Sequence, residues 1–116
     1  MGKRETGNYG EALVAEYLRK KRYTLIASQY RCRQGEIDLI ARKGKVLCFI
    51  EVKTRSNISV GLPREYVTHA KQARIRTAAA LYLSQKGLDC PVRFDVAEVY
   101  LEEGKAPRIE YLENAF

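Results

Sequence analysis

The chain is organised around two neighbouring segments, Gly35-Glu36-Ile37-Asp38-Leu39-Ile40 and Val46-Leu47-Cys48-Phe49-Ile50-Glu51-Val52-Lys53. Acidic and aliphatic residues alternate in the first segment, so a strand there would put Glu36 and Asp38 on one face. The second is a continuous apolar run, typical of a buried central strand, and it ends in Glu51 and Lys53. A turn over residues 42–45 would pair the two strands and bring Asp38 beside Glu51.

Length and composition predict one domain over residues 1–116. The chain is 46% hydrophobic and 30% charged, which excludes the disordered class, and no apolar run approaches the roughly 20 residues that a membrane span needs. Residues 1–6 lead into acidic sequence rather than into a secretory segment, so we expect a soluble cytoplasmic protein. Three widely spaced cysteines without a Cys-x-x-Cys pair predict reduced thiols rather than disulfides or a zinc site.

The charge is distributed unevenly along the chain. Residues 1–94 contain 19 Lys/Arg and 8 Asp/Glu, a net charge of +11, whereas residues 95–116 contain 2 and 6, a net charge of −4. The basic surface therefore belongs to the part that carries the two central segments. Such an excess favours a polyanionic partner, most commonly nucleic acid, although some basic domains are simply soluble proteins with a charged face.

Hydrophobic periodicity predicts the remaining elements. We expect helices over residues 6–22 and 63–86, strands over 23–27, 36–42, 45–53, 92–99 and 108–112, a basic connection or edge strand over 29–35, and a substrate-contacting flap or plain connector over 55–63. These elements predict a three-layer α/β domain in which a central mixed sheet lies between the first helix and the long second helix.

Glu11 faces the body of the domain in the predicted first helix. It precedes the apolar residues Val14 and Leu18 by three and seven positions, which puts it on the packed side of the helix. Two interpretations stand side by side. Glu11 is either an acid of the functional site or the second member of a capping box with Asn8.

Basic and aromatic residues flank the acidic segment and recur on the second helix. Aromatic faces and guanidinium groups suit a nucleic-acid groove. The candidate contacts are Tyr30, Arg31, Arg33, Arg55, Lys71, Gln72, Arg74 and Arg76. The alternatives are an edge strand protected by charge for the first three, and a solvated helix face for the last four.

Asp38, Glu51 and Lys53 form the pattern Asp-x12-Glu-x-Lys. Hydrolysis of a phosphodiester requires charge neutralisation at the phosphoryl oxygens, an activated water and a stabilised leaving oxygen, and a divalent ion supplies all of these. Mg²⁺ is usually held by one or two carboxylates, which predicts a Mg²⁺ or Mn²⁺ site at Asp38 and Glu51. Lys53 would orient the water and steady charge in the transition state.

These residues resemble the Asp-x(n)-Glu-x-Lys core of the restriction endonuclease-like nuclease superfamily. Further segments resemble the small bacterial YraN family, of the UPF0102 type: Gly10-Glu11, Tyr30-Arg31-Cys32-Arg33, Gly35 to Ile40, Phe49 to Arg55 and Arg93 to Val96. Within the superfamily the arrangement is most similar to archaeal Holliday-junction resolvases. That resemblance implies a restriction endonuclease-like fold, DNA as the partner, a homodimer, and Glu11 as a third metal-site acid.

The sequence departs from the superfamily pattern at two positions. Ile37 stands where the signature often has proline, a position with no chemical duty, and Glu36 adds an acid that either extends the metal shell or only begins the strand. The intact Asp-x12-Glu-x-Lys pattern and the resemblance lead us to expect a metal-dependent endonuclease acting on DNA, with branched or single-strand-containing DNA as the expected substrate. The alternatives are a nucleic-acid-binding module that is inactive alone or needs a partner, and a protein-interaction domain whose acids pair with nearby arginines.

Overall fold

The protein is described by a computed structural model over residues 2–56 and 67–116. Its elements are α1 (Lys3–Lys20), β1 (Thr24–Cys32), β2 (Gly35–Lys43), β3 (Val46–Ser56), α2 (His69–Lys86), β4 (Val92–Leu101) and β5 (Arg108–Leu112). The sheet order is β1-β2-β3-β4-β5. Only the β3 to β4 pairing is parallel within the described sheet. The predicted α/β class with a central mixed sheet is confirmed.

β3 separates two apolar layers, which confirms its prediction as the central strand. Cys48 and Ile50 point to one side, where they pack with Val14 and Leu18 of α1. Phe49 points to the other side, into a cluster that includes residues of α2. Both clusters are buried. The unbroken apolar run of β3 is thus explained by a strand covered on both faces.

α1 begins earlier than predicted and ends without a glycine. Gly2 is its N-cap, and Glu5 Oε2 accepts a hydrogen bond from the Gly2 N–H at 3.3 Å. The helix ends at Lys20 because Arg22 adopts a left-handed conformation, with φ of 68°, and the Tyr23 N–H donates back to Leu18 O at 2.9 Å. These bonds form a Schellman motif, in which arginine occupies the position that usually favours glycine.

α2 begins at His69, so the predicted start at residue 63 is wrong. Thr68 has extended backbone angles and its side chain accepts a hydrogen bond from the Lys71 N–H, which fixes the helix start there. The predicted end is confirmed, because Gly87 caps the helix with φ of 62°. Residues 57–63 of the predicted flap lie outside the described residues. Of the described helices, none is long and apolar enough to cross a membrane.

Two of the predicted strands are longer than expected. β1 is a single strand through Cys32, with a register shift between Leu25 and Ala27. β3 continues through Ser56, so Arg55 belongs to a strand and its predicted place in a loop is wrong. The extension follows from the parallel ladder with β4, which runs unbroken to the pair Ser56 and Leu101.

Asp95 is fully buried on the α1 side of β4 and is completely engaged by hydrogen-bond donors. Arg93 donates to it through Nε and Nη2 at 2.9 Å. The Tyr111 hydroxyl donates at 2.5 Å and the Asn114 N–H at 2.9 Å. Arg93 also donates to the Tyr23 hydroxyl at 2.7 Å. This network joins β4 to the C-terminal residues and to the start of β1.

Replacing Asp95 with alanine should destabilise the protein by about 3 to 5 kcal/mol, since it leaves a mostly buried guanidinium without its carboxylate. Urea unfolding followed by circular dichroism measures this change. Asp89→Ala, the same substitution at an exposed position, should stay within about 0.5 kcal/mol of the parent. Equal effects of the two substitutions would contradict this account of Asp95.

Candidate functional site

The candidate site lies where β2 and β3 stop pairing. Their ladder ends at the pair Leu39 and Ile50. Beyond it, β2 remains paired only with β1, as far as Gly35 and Cys32, while β3 continues along β4. Two strands that part in this way leave backbone donors without a ladder partner. If this register continued, the next pair would be Asp38 and Glu51, the two acids predicted from the sequence.

Asp38 bridges the gap between the separating strands. Its Oδ2 accepts a hydrogen bond from the Val52 N–H at 2.8 Å, so a side chain takes the place of a backbone acceptor on β2. Burial, the largest cause, and the charges of Glu51 and Glu11 together raise the pKa of Asp38 to about 7, while the Val52 N–H and Lys71 act in the opposite direction. Asp38 and Glu51 are therefore close enough to repel each other.

Glu51 is buried and is paired with a cation from α2. Its side chain is 6% exposed, and its Oε1 lies 2.6 Å from Lys71 Nζ. Burial lowers the pKa of Lys71, but the hydrogen bond from Lys71 to Glu51 and the charges of Glu51 and Asp38 raise it overall. The sequence predicted Lys71 as a nucleic-acid contact, whereas the structure places its ammonium among the acids of the site.

Glu11 is held near the site by a close approach between α1 and β3. A Cβ at Gly10 would lie 1.8 Å from Thr54 Oγ1 and 3.0 Å from Thr54 Cβ, so only glycine permits this spacing. Burial raises the pKa of Glu11, a hydrogen bond from Gln29 lowers it, and the charges of Glu36 and Glu51 raise it.

The capping box predicted for Asn8 and Glu11 is wrong, because both residues lie within α1 and its N-cap is Gly2. The Asn8 side chain instead accepts a hydrogen bond from Gln29 Nε2 of β1 at 3.1 Å. Glu11 is thus free of any capping duty. Its carboxylate contributes to the same electrostatic environment as Asp38, which leaves the functional interpretation of Glu11 standing.

Lys53 lies two residues beyond Glu51 on β3 and therefore on the same face of the strand. It is half-buried, and its register partner on β4 is Glu98, which is 3% exposed. The Tyr100 hydroxyl donates a hydrogen bond to Glu98. Sequence analysis did not select Glu98. Alternation along β4 places it on the face of Val96, but only the parallel register of β3 and β4 puts it beside Lys53.

A recess of about 200 Å³ opens beside Asp38 at the N-terminal end of α1. Its polar lining residues are Arg4, Asn8, Glu11, Gln29, Arg31, Glu36 and Asp38. Arg31 forms an exposed ion pair with Glu36 at 3.4 Å. Arg4 was missed by the sequence analysis because its helix was expected to begin at residue 6. The recess brings basic side chains to the edge of the acidic site.

The other candidate nucleic-acid contacts are spread over the surface. Arg33 is exposed in the turn between β1 and β2, and Arg74 is exposed where its backbone passes Gly35. The ring of Tyr30 instead packs edge-on against Tyr82, with centroids 5.2 Å apart. Its hydroxyl donates to Gln85 on α2. Tyr30 is therefore engaged with α2 rather than presented to a base.

The remaining three candidates have structural partners or a strand position. The Arg76 guanidinium covers Phe94 and Phe116, at 4.7 and 5.6 Å from the ring centroids. Gln72 Nε2 donates to Val67 O at 2.9 Å, a hydrogen bond that connects the first turn of α2 to the residue before its N-cap. Arg55 is half-buried near the end of β3. Arg76 thus lies with the aromatic cluster at the start of β4.

Asp38 and Glu51 are the residues of the site that would hold a metal ion, and water and substrate would have to complete its coordination. Over residues 2–56 and 67–116, no three acidic, histidine or cysteine side chains come together closely enough to hold a metal ion by themselves. Asp38 and Glu51 nevertheless supply hard oxygen atoms whose mutual repulsion a cation would relieve, and Lys71 already places positive charge on Glu51. Mg²⁺ commonly takes only one or two protein carboxylates.

In metal-free buffer, the stability cost of ionising Asp38 should depend on pH. The pKa of its carboxyl is 3.8 when unperturbed and about 7 in the fold, so the free energy of unfolding should fall as the pH rises from about 4 through 7. Asp38→Asn removes this loss and should gain up to about 4 kcal/mol relative to the parent between pH 4 and 8. Urea unfolding at each pH measures the difference, with Asp89→Asn as the exposed control. A difference that does not vary with pH would contradict the burial of this charge.

Comparison with known proteins places this geometry in a family. Residues 10–99 match the model of "Uncharacterised protein family UPF0102". UPF0102 proteins of Alkaliphilus metalliredigens and Geobacter sulfurreducens are each 48% identical over 95% of the chain, covering 96% and 87% of their own lengths. The UPF0102 protein of Caldicellulosiruptor saccharolyticus is 40% identical over the whole of both chains. The matched region contains Glu11, Asp38, Glu51 and Lys53, and the chain belongs to the UPF0102 family.

Proposed function

We propose that this protein is a divalent-metal-dependent endonuclease that hydrolyses phosphodiester bonds in DNA. The observation that carries the proposal is the approach of Asp38 and Glu51 at the point where β2 and β3 separate. Lys53 follows Glu51 on the same face. Two carboxylates that would hold a divalent ion, with an amine beside them, suit phosphodiester hydrolysis. The likeness to archaeal resolvases extends the proposal to branched or partly single-stranded DNA and to a homodimer.

Asp38 and Glu51 would hold Mg²⁺ or Mn²⁺, with Glu11 as the third acid in its environment. When bound, such an ion would supply charge neutralisation at the phosphoryl oxygens and a lowered pKa for a bound water. Asp38 is fixed by its hydrogen bond to Val52, and Glu51 is fixed within a buried strand. Held in this way, both carboxylates keep their positions without reorganisation during the reaction.

Lys53 would orient the attacking water and hold positive charge near the reacting phosphate. Its ammonium emerges from a rigid central strand rather than from a loop, which limits its freedom before substrate binds. Glu98, its register partner on β4, would position this side chain without touching the substrate. In this assignment Glu51 would bind the metal ion, Lys53 would orient the water, and Glu98 would position Lys53.

DNA would approach across the exposed arginines at the end of β1 and β2. Arg31 and Arg4 line the recess next to Asp38, and Arg33 occupies the adjoining turn. Arg74 lies across from Gly35 on α2. Guanidinium groups bind phosphate oxygens in a bidentate manner, so this set would position a strand beside the acids without reading its sequence. The net charge of +7 supports the same partner.

Glu51→Gln and Asp38→Asn should each lower the rate of DNA cleavage by at least about 100-fold, because each removes a carboxylate from the reacting centre. The assay uses labelled junction, flap, single-stranded and duplex DNA with Mg²⁺, with Mn²⁺ or with EDTA. Glu16→Gln is the matched control, since Glu16 is 61% exposed on α1, and it should retain parental activity. Parent protein no more active than Asp38→Asn on every substrate would count against the proposal.

A second candidate is a nucleic-acid-binding module that is inactive alone or needs a partner. It is favoured by one observation: within the described residues no three-acid cage is present and Glu51 is paired with Lys71. This candidate predicts that DNA affinity falls steeply with salt and survives Glu51→Gln, but weakens on Arg31→Ala or Arg33→Ala. Fluorescence anisotropy over a salt series measures both effects. Binding that disappears on removing the acid or the metal would exclude it.

A further inference from the structure

The strongest unassigned feature of the site is the ion pair between Glu51 and Lys71. Glu51 is 6% exposed, and a carboxylate buried to this extent requires a charged or hydrogen-bonding partner. Lys71 Nζ supplies it at 2.6 Å, whereas the Lys71 side chain remains 41% exposed. The Lys71 amine thus extends from the solvent-exposed side to the Glu51 carboxylate, where a divalent ion bound to Glu51 would also lie.

The backbone of Lys71 is fixed independently of this ion pair. Its N–H donates to Thr68 Oγ1 at 3.2 Å in the first turn of α2. The adjacent Gln72 side chain donates to Val67 O. Neither contact involves the Lys71 ammonium. A lysine side chain is flexible and carries a compact charge, so the ammonium can leave Glu51 while the helix start stays in place.

We propose that Lys71 is a built-in cation that occupies Glu51 in the metal-free protein and is displaced when a divalent ion binds. The inference rests on the proposed function, because it takes Glu51 as a metal ligand. An ammonium and a divalent ion on the same buried carboxylate repel each other, so each disfavours binding of the other, and the affinity for metal is reduced by the strength of the internal pair. Once displaced, the ammonium lies beside the site and has phosphate oxygens as its next partner.

The displacement couples metal binding to substrate binding. Without DNA, a divalent ion must break the ion pair between Lys71 and Glu51, and the ammonium gains no new partner. With DNA, the ion pair is also broken, but the ammonium then pairs with a phosphate. By linkage, DNA then raises metal affinity by the same factor as metal raises DNA affinity. Lys71 would in this way disfavour metal loading in the absence of substrate.

Titration with Mn²⁺ by isothermal calorimetry tests the competition. Lys71→Gln should bind Mn²⁺ about tenfold more tightly than the parent, because the internal competitor is gone. Lys86→Gln, which removes the same charge from the exposed last turn of α2, should stay within about twofold of the parent. In the Glu51→Gln background, adding Lys71→Gln should give no gain over Glu51→Gln alone, which assigns the gain to the pair with Glu51. Parental or weaker binding by Lys71→Gln would overturn the inference.

A second measurement leaves the protein unmutated. The ¹⁵N-labelled Lys71 ammonium should give a protected signal in the metal-free protein, assigned by its loss in Glu51→Gln, and saturating Mg²⁺ should abolish that protection. A signal unchanged by Mg²⁺ would overturn the inference even if Lys71→Gln fails to fold. Absence of Mn²⁺ binding in every variant would overturn the inference and the proposed function together. Metal-dependent cleavage without tighter binding by Lys71→Gln would overturn the inference alone, and tighter binding without cleavage would overturn only the proposed function.

Discussion

The separation of β2 from β3 is the constraint on which the candidate site depends. A sheet that stops pairing in its interior exposes backbone donors that must find other acceptors. Here the ladder ends at Leu39 and Ile50, and the carboxylate of Asp38 accepts the Val52 N–H. One side chain therefore has two duties, since it closes the gap between the strands and presents an acidic oxygen at the same place. The acid is built into the sheet rather than added at a loop.

Electrostatic repulsion around this gap limits the number of acidic side chains that the fold can place there. Asp38 and Glu51 repel each other, and Glu11 adds to the repulsion. Like charges in a partly buried site are costly unless a cation compensates them. α2 provides that cation through Lys71. The packing of α2 against the sheet is thus linked to the electrostatics of the site, although the apolar layer beneath it is an ordinary hydrophobic core.

Much of this arrangement follows from local sequence patterns. Alternation in β2 and the apolar run of β3 predicted both strands, and their short connection predicted the approach of Asp38 to Glu51. Helix boundaries were less predictable because they depend on capping. Arg22 ends α1 in a conformation that usually favours glycine, and Thr68 rather than Pro63 begins α2.

The partners of the charged residues could not be predicted, because they depend on contacts between elements far apart in the chain. The proximity of Glu98 to Lys53 requires the register of a parallel ladder whose two strands are joined by a long connection. The ion pair of Glu51 requires the exact start and rotation of α2, which sequence analysis set several residues too early. Periodicity gives the face on which a residue lies, but it does not give the neighbour across that face.

The two inward-facing aspartates, Asp95 and Asp38, differ in their hydrogen-bond and charge partners within one sheet. Asp95 is fully buried, and donors from Arg93, Tyr111 and Asn114 engage both of its oxygens. Asp38 accepts one backbone hydrogen bond, from Val52, and its charged neighbours are the acids Glu51 and Glu11 and the cation Lys71. An acid surrounded by donors gains little from a further cation, whereas an acid beside like charges gains a great deal. By burial alone, Asp95 would be a better candidate for a site acid than Asp38. The difference in their partners favours Asp38 instead.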